Sequence, residues 1–127
     1  DLIETVEQAE QKVVWCCDPM HGNTEKTSVG LKTRRFDHIM SEVEQAFDIH
    51  SEHGTYLGGI HIELTGDDVT ECVGGARGLS EEALQQRYKT FVDPRLNYEQ
   101  SLELALRVGQ RMARANMEAL FEAPVVF

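Results

Sequence analysis

The stretch VVWCCDPMHGNT, residues 13–24, joins a short apolar run to a polar segment rich in functional side chains. The run VVWCC has the length and residue types of a buried strand, and it ends at Asp18 and Pro19. A histidine, a glycine and an asparagine follow at residues 21–23. In folds built from parallel strands, functional side chains collect where the strands end. The stretch therefore predicts a strand near residues 12–17 with a candidate site just beyond it.

The same order of strand, polar loop and helix occurs three times along the chain. The predicted strands are residues 12–17, 58–64 and 89–93. The predicted helices are residues 36–53, residues 80–88 and a long helix that begins after Asn97. This recurrence predicts parallel strands with crossover helices, hence an α/β sheet or barrel. We expect one domain over residues 1–127.

Each predicted helix has a recognisable start or a recognisable side. Ser80 is a candidate cap for the second helix, and Asn97 with Gln100 forms a candidate capping box for the third. The first helix presents at helical spacing Phe36, Ile39, Met40, Val43, Phe47 and His50. The third carries along one side Leu102, Leu106, Gly109, Ala113, Met117 and Leu120.

Composition excludes two classes of partner. The formal net charge of −10, from 22 acidic and 12 basic residues, argues against a nucleic-acid-binding protein. The apolar runs reach about five residues, far fewer than the roughly 20 that span a bilayer, so we expect no membrane insertion. Three cysteines, two of them adjacent, favour a reducing compartment and a cytoplasmic location. Since Asp1 lies in a helix-like stretch, we expect a piece of a longer protein.

Three side chains at predicted strand ends point to a metal site. His21 follows the first strand, Glu63 lies near the end of the second, and Asp93 closes the third. One imidazole and two carboxylates suit a divalent transition ion: Mn²⁺, Co²⁺, Fe²⁺ or Zn²⁺. Plainer interpretations stay open, because His21 fits a loop histidine and Asp93 a turn residue before proline. Similarly, His61 and Glu63, two apart in a strand, fit a structural hydrogen-bonded pair.

Basic residues cluster near this predicted site. Lys26, Lys32, Arg34 and Arg35 fall within ten positions, and Lys32 and Arg34 are spaced to face one cavity from an extended loop. A metal ion beside such cations indicates a phosphorylated, carbonyl-bearing substrate, although a solvated loop also explains the charges. A thiol nucleophile at Cys17 is disfavoured, because burial in an apolar strand raises a thiol pKa.

Four segments read together resemble one enzyme family. The segments WCCDPMHGNT, KTRRF, GGIHIELTGDDVTECVGG and DPRLN resemble, in order and spacing, the type II 3-deoxy-D-arabino-heptulosonate 7-phosphate (DAHP) synthases. The resemblance covers residues 1–115 and implies the C-terminal three βα units of a (β/α)8 TIM barrel. It implies condensation of phosphoenolpyruvate with erythrose 4-phosphate, giving DAHP and phosphate. This is the first step of the shikimate pathway towards chorismate and the aromatic amino acids.

The resemblance also implies roles for individual residues. Carried over by motif, the metal ligands are His21, Glu63 and Asp93, and the ion is Mn²⁺ or Co²⁺ in the first place, with Zn²⁺ or Fe²⁺ as alternatives. His21 and Lys32 are predicted to be catalytic, and Lys32 and Arg34 to bind substrate. Val92 stands where some relatives carry a cysteine.

The family's fourth ligand, a cysteine, belongs to an early part of the barrel that this chain does not contain. We therefore expect the isolated chain to be inactive. We also expect it to form a homo-oligomer or to pair with the missing N-terminal half. The alternative is a non-catalytic fragment that binds metal or oligomerises.

Overall fold

A computed structural model describes residues 1–122 of the protein, and the side chains of residues 1–115. The helices are α1 (Leu2–Gln8), α2 (Phe36–Glu52) and α3 (Tyr98–Glu122). The strands are β1 (Trp15–Cys17), β2 (Thr24–Lys26), β3 (Lys32–Arg34) and β4 (Leu57–Ile60). Two 3-10 turns cover His21–Asn23 and Glu82–Gln86.

The predicted α/β class is confirmed, in a mixed form. β1 pairs in parallel with β4, and the 17-residue helix α2 lies between them in the chain, as the strand–helix–strand order predicts. β2 and β3 instead form an antiparallel hairpin. The expected extended loop around Lys32 and Arg34 is therefore one strand of a hairpin, and each strand of this hairpin is three residues long.

The strands are shorter than predicted, and the strand predicted at 89–93 is wrong. β1 begins at Trp15 rather than at residue 12, and β4 ends at Ile60 rather than at residue 64. Residues 89–93 form no strand, because the backbone N–H groups of Lys89 and Thr90 donate to the Glu71 carboxylate (3.3 and 2.9 Å) instead of to a neighbouring strand. Next to this segment, an isolated parallel bridge joins Leu64 to Leu96.

The helix predictions are confirmed for two helices and wrong for one. α2 ends one residue before the predicted boundary, and its predicted side is buried except for the half-buried Phe47. The segment 80–88 holds a 3-10 turn instead of an α-helix, and the Ser80 side chain makes no capping bond to it. The capping box of α3 is present: Gln100 N–H donates to Asn97 Oδ1 (3.0 Å), and Asn97 N–H donates to Gln100 Oε1 (3.2 Å).

The rotation of α3 differs from the expected one. Leu102 and Leu106 are 47% and 59% exposed, whereas Gln100 and Leu104 are buried. The Gln100 amide donates to the carbonyl oxygens of Cys72 and Gly74 (3.0 and 3.1 Å), and these two bonds fix which side faces the core. The predicted Gly109 and Ala113 are likewise exposed; Met117 and Leu120 lie outside the side chains that the structure describes.

One apolar cluster supports the segments that carry the predicted site. It comprises Met20, Phe36, Ile39, Met40, Cys72, Leu96 and Leu104, with Ile62 and Val108 packed against it. Met20 lies directly before His21 and is wholly buried, which anchors the start of that loop. Along the helices that the structure describes, none combines the length and apolar character needed to cross a membrane.

Candidate metal centre

The three predicted ligands lie together. His21, Glu63 and Asp93 each offer one ligand atom, and these atoms all lie within 4.8 Å of one another. His21 Nε2 lies 3.7 Å from Glu63 Oε1. His21 starts the 3-10 turn after β1, Glu63 follows the end of β4 by three residues, and Asp93 lies in the loop before α3. The arrangement therefore brings donors from three separate segments to one point.

The His21 ring is oriented by Asp18. Asp18 Oδ2 lies 2.7 Å from His21 Nδ1, while Asp18 Oδ1 accepts the backbone N–H groups of Met20 and His21 (3.0 and 3.2 Å). Desolvation acts to raise the pKa of Asp18, but these hydrogen bonds outweigh it and hold the pKa below its ordinary value. The Asp18 carboxylate thus stays ionised beside Nδ1, and Nε2 is left to face Glu63. This role of Asp18 was not predicted from the sequence, although a carboxylate three residues before the histidine is a visible signal for it.

Arg34 holds the Glu63 carboxylate from inside the protein. Its side chain is wholly buried: Nη1 donates to Glu63 Oε2 and to the Pro94 carbonyl oxygen, and Nε donates to Thr24 Oγ1 (2.8 Å). Nη2 is buried and has no hydrogen-bond partner among the described residues. This geometry favours a role for Arg34 in orienting Glu63. Direct contact with a substrate, the role predicted from the sequence, stays a prediction.

Lys32 reaches the site from the solvent side. Its Nζ donates to Asp93 Oδ1 (2.8 Å), and its side chain is 46% exposed. The hydrogen bond from Lys32 is the main cause that lowers the pKa of Asp93, and the charges of Arg34 and His21 act in the same direction. Two alternate residues of β3 therefore each pair with one carboxylate of the site: Lys32 with Asp93, and Arg34 with Glu63.

The donor set fits a divalent transition ion. One imidazole nitrogen and two carboxylate oxygens match the ligand preferences of Mn²⁺, Co²⁺, Fe²⁺ and Zn²⁺. A carboxylate behind the histidine, as at Asp18, is the usual partner of a metal-binding imidazole. The exposed His61 ring stacks on His21 with centroids 5.7 Å apart, and it forms a second close group with Asp18 and His21.

The structure argues against two alternative sites, a second cluster of possible metal ligands and the Cys17 thiol. Asp1, Glu4 and His53 form another close cluster, but His53 Nε2 is already hydrogen-bonded to Asp1 Oδ2 (2.8 Å). Burial, followed by the nearby negative charges, raises the pKa of the Cys17 thiol to about 11. A thiol with that pKa is almost entirely protonated near neutral pH, which argues against the nucleophilic-cysteine alternative.

Comparisons with known proteins give one consistent result. The sequence profile of the class-II DAHP synthetase family matches residues 1–109. The phospho-2-dehydro-3-deoxyheptonate aldolase of Neurospora crassa is 54% identical over 121 residues, covering 92% of this chain and 25% of the relative. The aldolase AroG of Mycolicibacterium smegmatis is 52% identical over 111 residues (87% and 24%), and that of Streptomyces coelicolor 53% over 110 residues (87% and 24%). The chain spans about a quarter of the length of these curated relatives.

Proposed function

Because the chain belongs to the class-II DAHP synthetase family, we propose that it supplies the metal-binding segment of a DAHP synthase. The proposed reaction condenses phosphoenolpyruvate with erythrose 4-phosphate and releases DAHP and phosphate. The observation that carries the proposal is the convergence of His21, Glu63 and Asp93 to within 4.8 Å. Relatives with more than half of the aligned residues identical are named for this activity, which supports the same reading.

In this proposal the chain forms the last three βα units of a (β/α)8 barrel. The parallel pairing of β1 with β4 and the parallel bridge from Leu64 to Leu96 support three successive parallel segments. A complete barrel takes about 250 residues, so 127 residues need further polypeptide to close it. Val14, Leu102 and Leu106 are exposed apolar side chains that the rest of the barrel, or a second copy of the chain, would cover.

Each site residue has a proposed task. His21, Glu63 and Asp93 would hold Mn²⁺ or Co²⁺, and the bound ion would supply a Lewis acid for a carbonyl oxygen of the substrate. Arg34 keeps the Glu63 carboxylate turned towards His21. Lys32 is the exposed cation of the site, so it is placed to bind a phosphate or carboxylate group of a substrate. The free, unpaired state of all three cysteines is compatible with a cytoplasmic enzyme.

A chimera tests this function directly. Residues 1–109 of this chain, the part that the family profile matches, would replace the matching segment of the Mycolicibacterium smegmatis relative, and DAHP formation and phosphate release would be measured with added Mn²⁺. We expect turnover from the chimera and none from the isolated chain. His21→Ala, Glu63→Ala and Asp93→Ala chimeras should lose turnover. His53→Ala, which alters a histidine in a different acidic cluster, should keep it.

Two results would contradict the proposal. A folded chimera that binds Mn²⁺ but makes no DAHP would favour the alternative of a non-catalytic metal-binding segment. Turnover that survives the His21→Ala change would show that the ion is held elsewhere.

A further inference from the structure

Glu71 is a wholly buried carboxylate to which the Asp93 loop is bound. Its two oxygens accept five hydrogen bonds, and every donor belongs to residues 89–95. The donors are the backbone N–H groups of Lys89 (3.3 Å), Thr90 (2.9 Å) and Arg95 (2.8 Å), and Nε and Nη2 of Arg95 (3.0 and 2.8 Å). We propose that Glu71 is a positioning residue, which holds the 89–95 loop so that Asp93 faces the other two metal ligands. This inference rests on the proposed metal centre.

The same residue is tied to the strand that supplies the site cations. Its carbonyl oxygen accepts the Thr33 hydroxyl (2.9 Å), and Thr33 is buried between Lys32 and Arg34 on β3. Two residues further on, Val73 N–H donates to the Arg34 carbonyl oxygen (2.9 Å). Glu71 thus fixes the distance between β3 and the Asp93 loop, the two segments that the Lys32–Asp93 ion pair joins.

The negative charge of Glu71 is essential to this arrangement. An ionised carboxylate accepts at both oxygens, whereas a glutamine amide accepts at one oxygen and donates at its nitrogen. In a Glu71→Gln variant, the amide NH₂ would meet donors of the loop, and some of the five N–H groups would lose their acceptor. Desolvation acts to raise the pKa of Glu71, but the Arg95 side chain and the backbone donors outweigh it, so Glu71 is ionised near neutral pH.

The test compares Glu71→Gln with Asp68→Asn in this chain. Asp68 is an exposed carboxylate three residues earlier, paired with Arg77 and Arg87 outside the site. Three quantities are measured: amide hydrogen exchange over residues 89–95, the Kd for Mn²⁺ by electron paramagnetic resonance, and the urea midpoint. We expect Glu71→Gln to speed exchange at residues 89, 90 and 95 and to weaken Mn²⁺ binding about 10- to 100-fold, the usual range for outer-shell partners. Asp68→Asn should change neither the exchange rates over residues 89–95 nor the Kd for Mn²⁺.

A second variant covers the case in which Glu71→Gln does not fold. Arg95→Met removes two of the five bonds, leaves the three backbone donors in place, and alters a side chain that is 33% exposed. It should speed exchange over 89–95 and weaken Mn²⁺ binding less than Glu71→Gln does. A merely structural role would lower the urea midpoint and leave the Mn²⁺ Kd of the folded protein unchanged.

The outcomes separate this inference from the proposed function. If the wild-type chain binds Mn²⁺ and a folded Glu71→Gln or Arg95→Met variant binds it equally well, the positioning role is refuted and the metal centre stands. Exchange over 89–95 that matches the wild-type rate in both variants also refutes the role. If the wild-type chain binds no Mn²⁺, the proposed metal centre itself fails, and this inference fails with it.

Discussion

Replacing Asp18 by asparagine should weaken metal binding while it preserves the local fold. Asp18 Oδ1 accepts the N–H groups of Met20 and His21, and asparagine can keep both bonds through its own Oδ1. Its NH₂ group would then take the place of Oδ2, which lies 2.7 Å from His21 Nδ1. Because an amide NH₂ only donates, it requires Nδ1 to be unprotonated, and the ring proton moves to Nε2. A protonated Nε2 facing Glu63 cannot bind an ion.

The expected magnitude follows from this tautomer change. Loss of the outer carboxylate of a metal-binding histidine costs about 10- to 100-fold in affinity, which equals about 1.4 to 2.8 kcal/mol. Asp18→Ala removes the turn bonds as well, yet it leaves the ring free to take either tautomer. We therefore expect Asp18→Asn to bind Mn²⁺ more weakly than Asp18→Ala, although it should be the more stable protein.

The assay is titration calorimetry with Mn²⁺, with urea unfolding of the same samples. Asp48→Asn is the matched control, because Asp48 pairs with Arg111 across α2 and α3 and does not contact the site. Asp18→Asn affinity equal to that of the wild type would refute the reasoning. So would an Asp18→Ala variant that binds Mn²⁺ more weakly than Asp18→Asn does.

Three further predictions concern stability and charge. Phe36→Ala, at a wholly buried core position, should lower the free energy of unfolding by about 3 to 5 kcal/mol in urea, whereas Phe91→Ala, at a fully exposed position, should leave it nearly unchanged. Gly75→Ala should cost more than about 1 kcal/mol, because Gly75 has φ +79° and an added Cβ would lie 2.9 Å from an α3 side chain; a urea midpoint equal to the wild type would contradict this. Lys32→Met should raise the pKa of Asp93 towards its ordinary value in a carboxyl NMR titration. Since the pKa of Asp93 is depressed in the folded state, its pairing with Lys32 stabilises the protein at pH values above the ordinary carboxyl pKa. This stabilisation is lost as the pH falls through the depressed pKa. An unchanged Asp93 pKa in the Lys32→Met variant would contradict the pairing.

The proximity of the three predicted ligands was easier to predict than the strands that carry them. His21, Glu63 and Asp93 lie close together, although residues 89–93 form no strand and β4 stops three residues before Glu63. This prediction needed only the order of the segments and the rule that the carboxyl ends of parallel strands lie at the same edge of a sheet. The regularity of each strand depends on which acceptor its amides find, and the buried Glu71 carboxylate cannot be identified as that acceptor from its sequence neighbours.

The burial of individual side chains was harder to predict from the sequence. A pattern of charges identifies Arg34 as a cation near the site, but only the fold shows that it is wholly buried against Glu63. Similarly, the spacing of Leu102 and Leu106 predicts an amphipathic helix but does not say which side faces this core. The Gln100 amide, bonded to carbonyl groups 26 and 28 residues earlier, sets that rotation.

The most direct test of the metal centre is a crystal structure of the chain grown with Mn²⁺, with anomalous diffraction to locate the ion. The account predicts one strong anomalous peak about 2.0 to 2.3 Å from His21 Nε2, a Glu63 oxygen and an Asp93 oxygen, with Lys32 displaced from Asp93. A peak at the cluster of Asp1, Glu4 and His53, with none at His21, would contradict it.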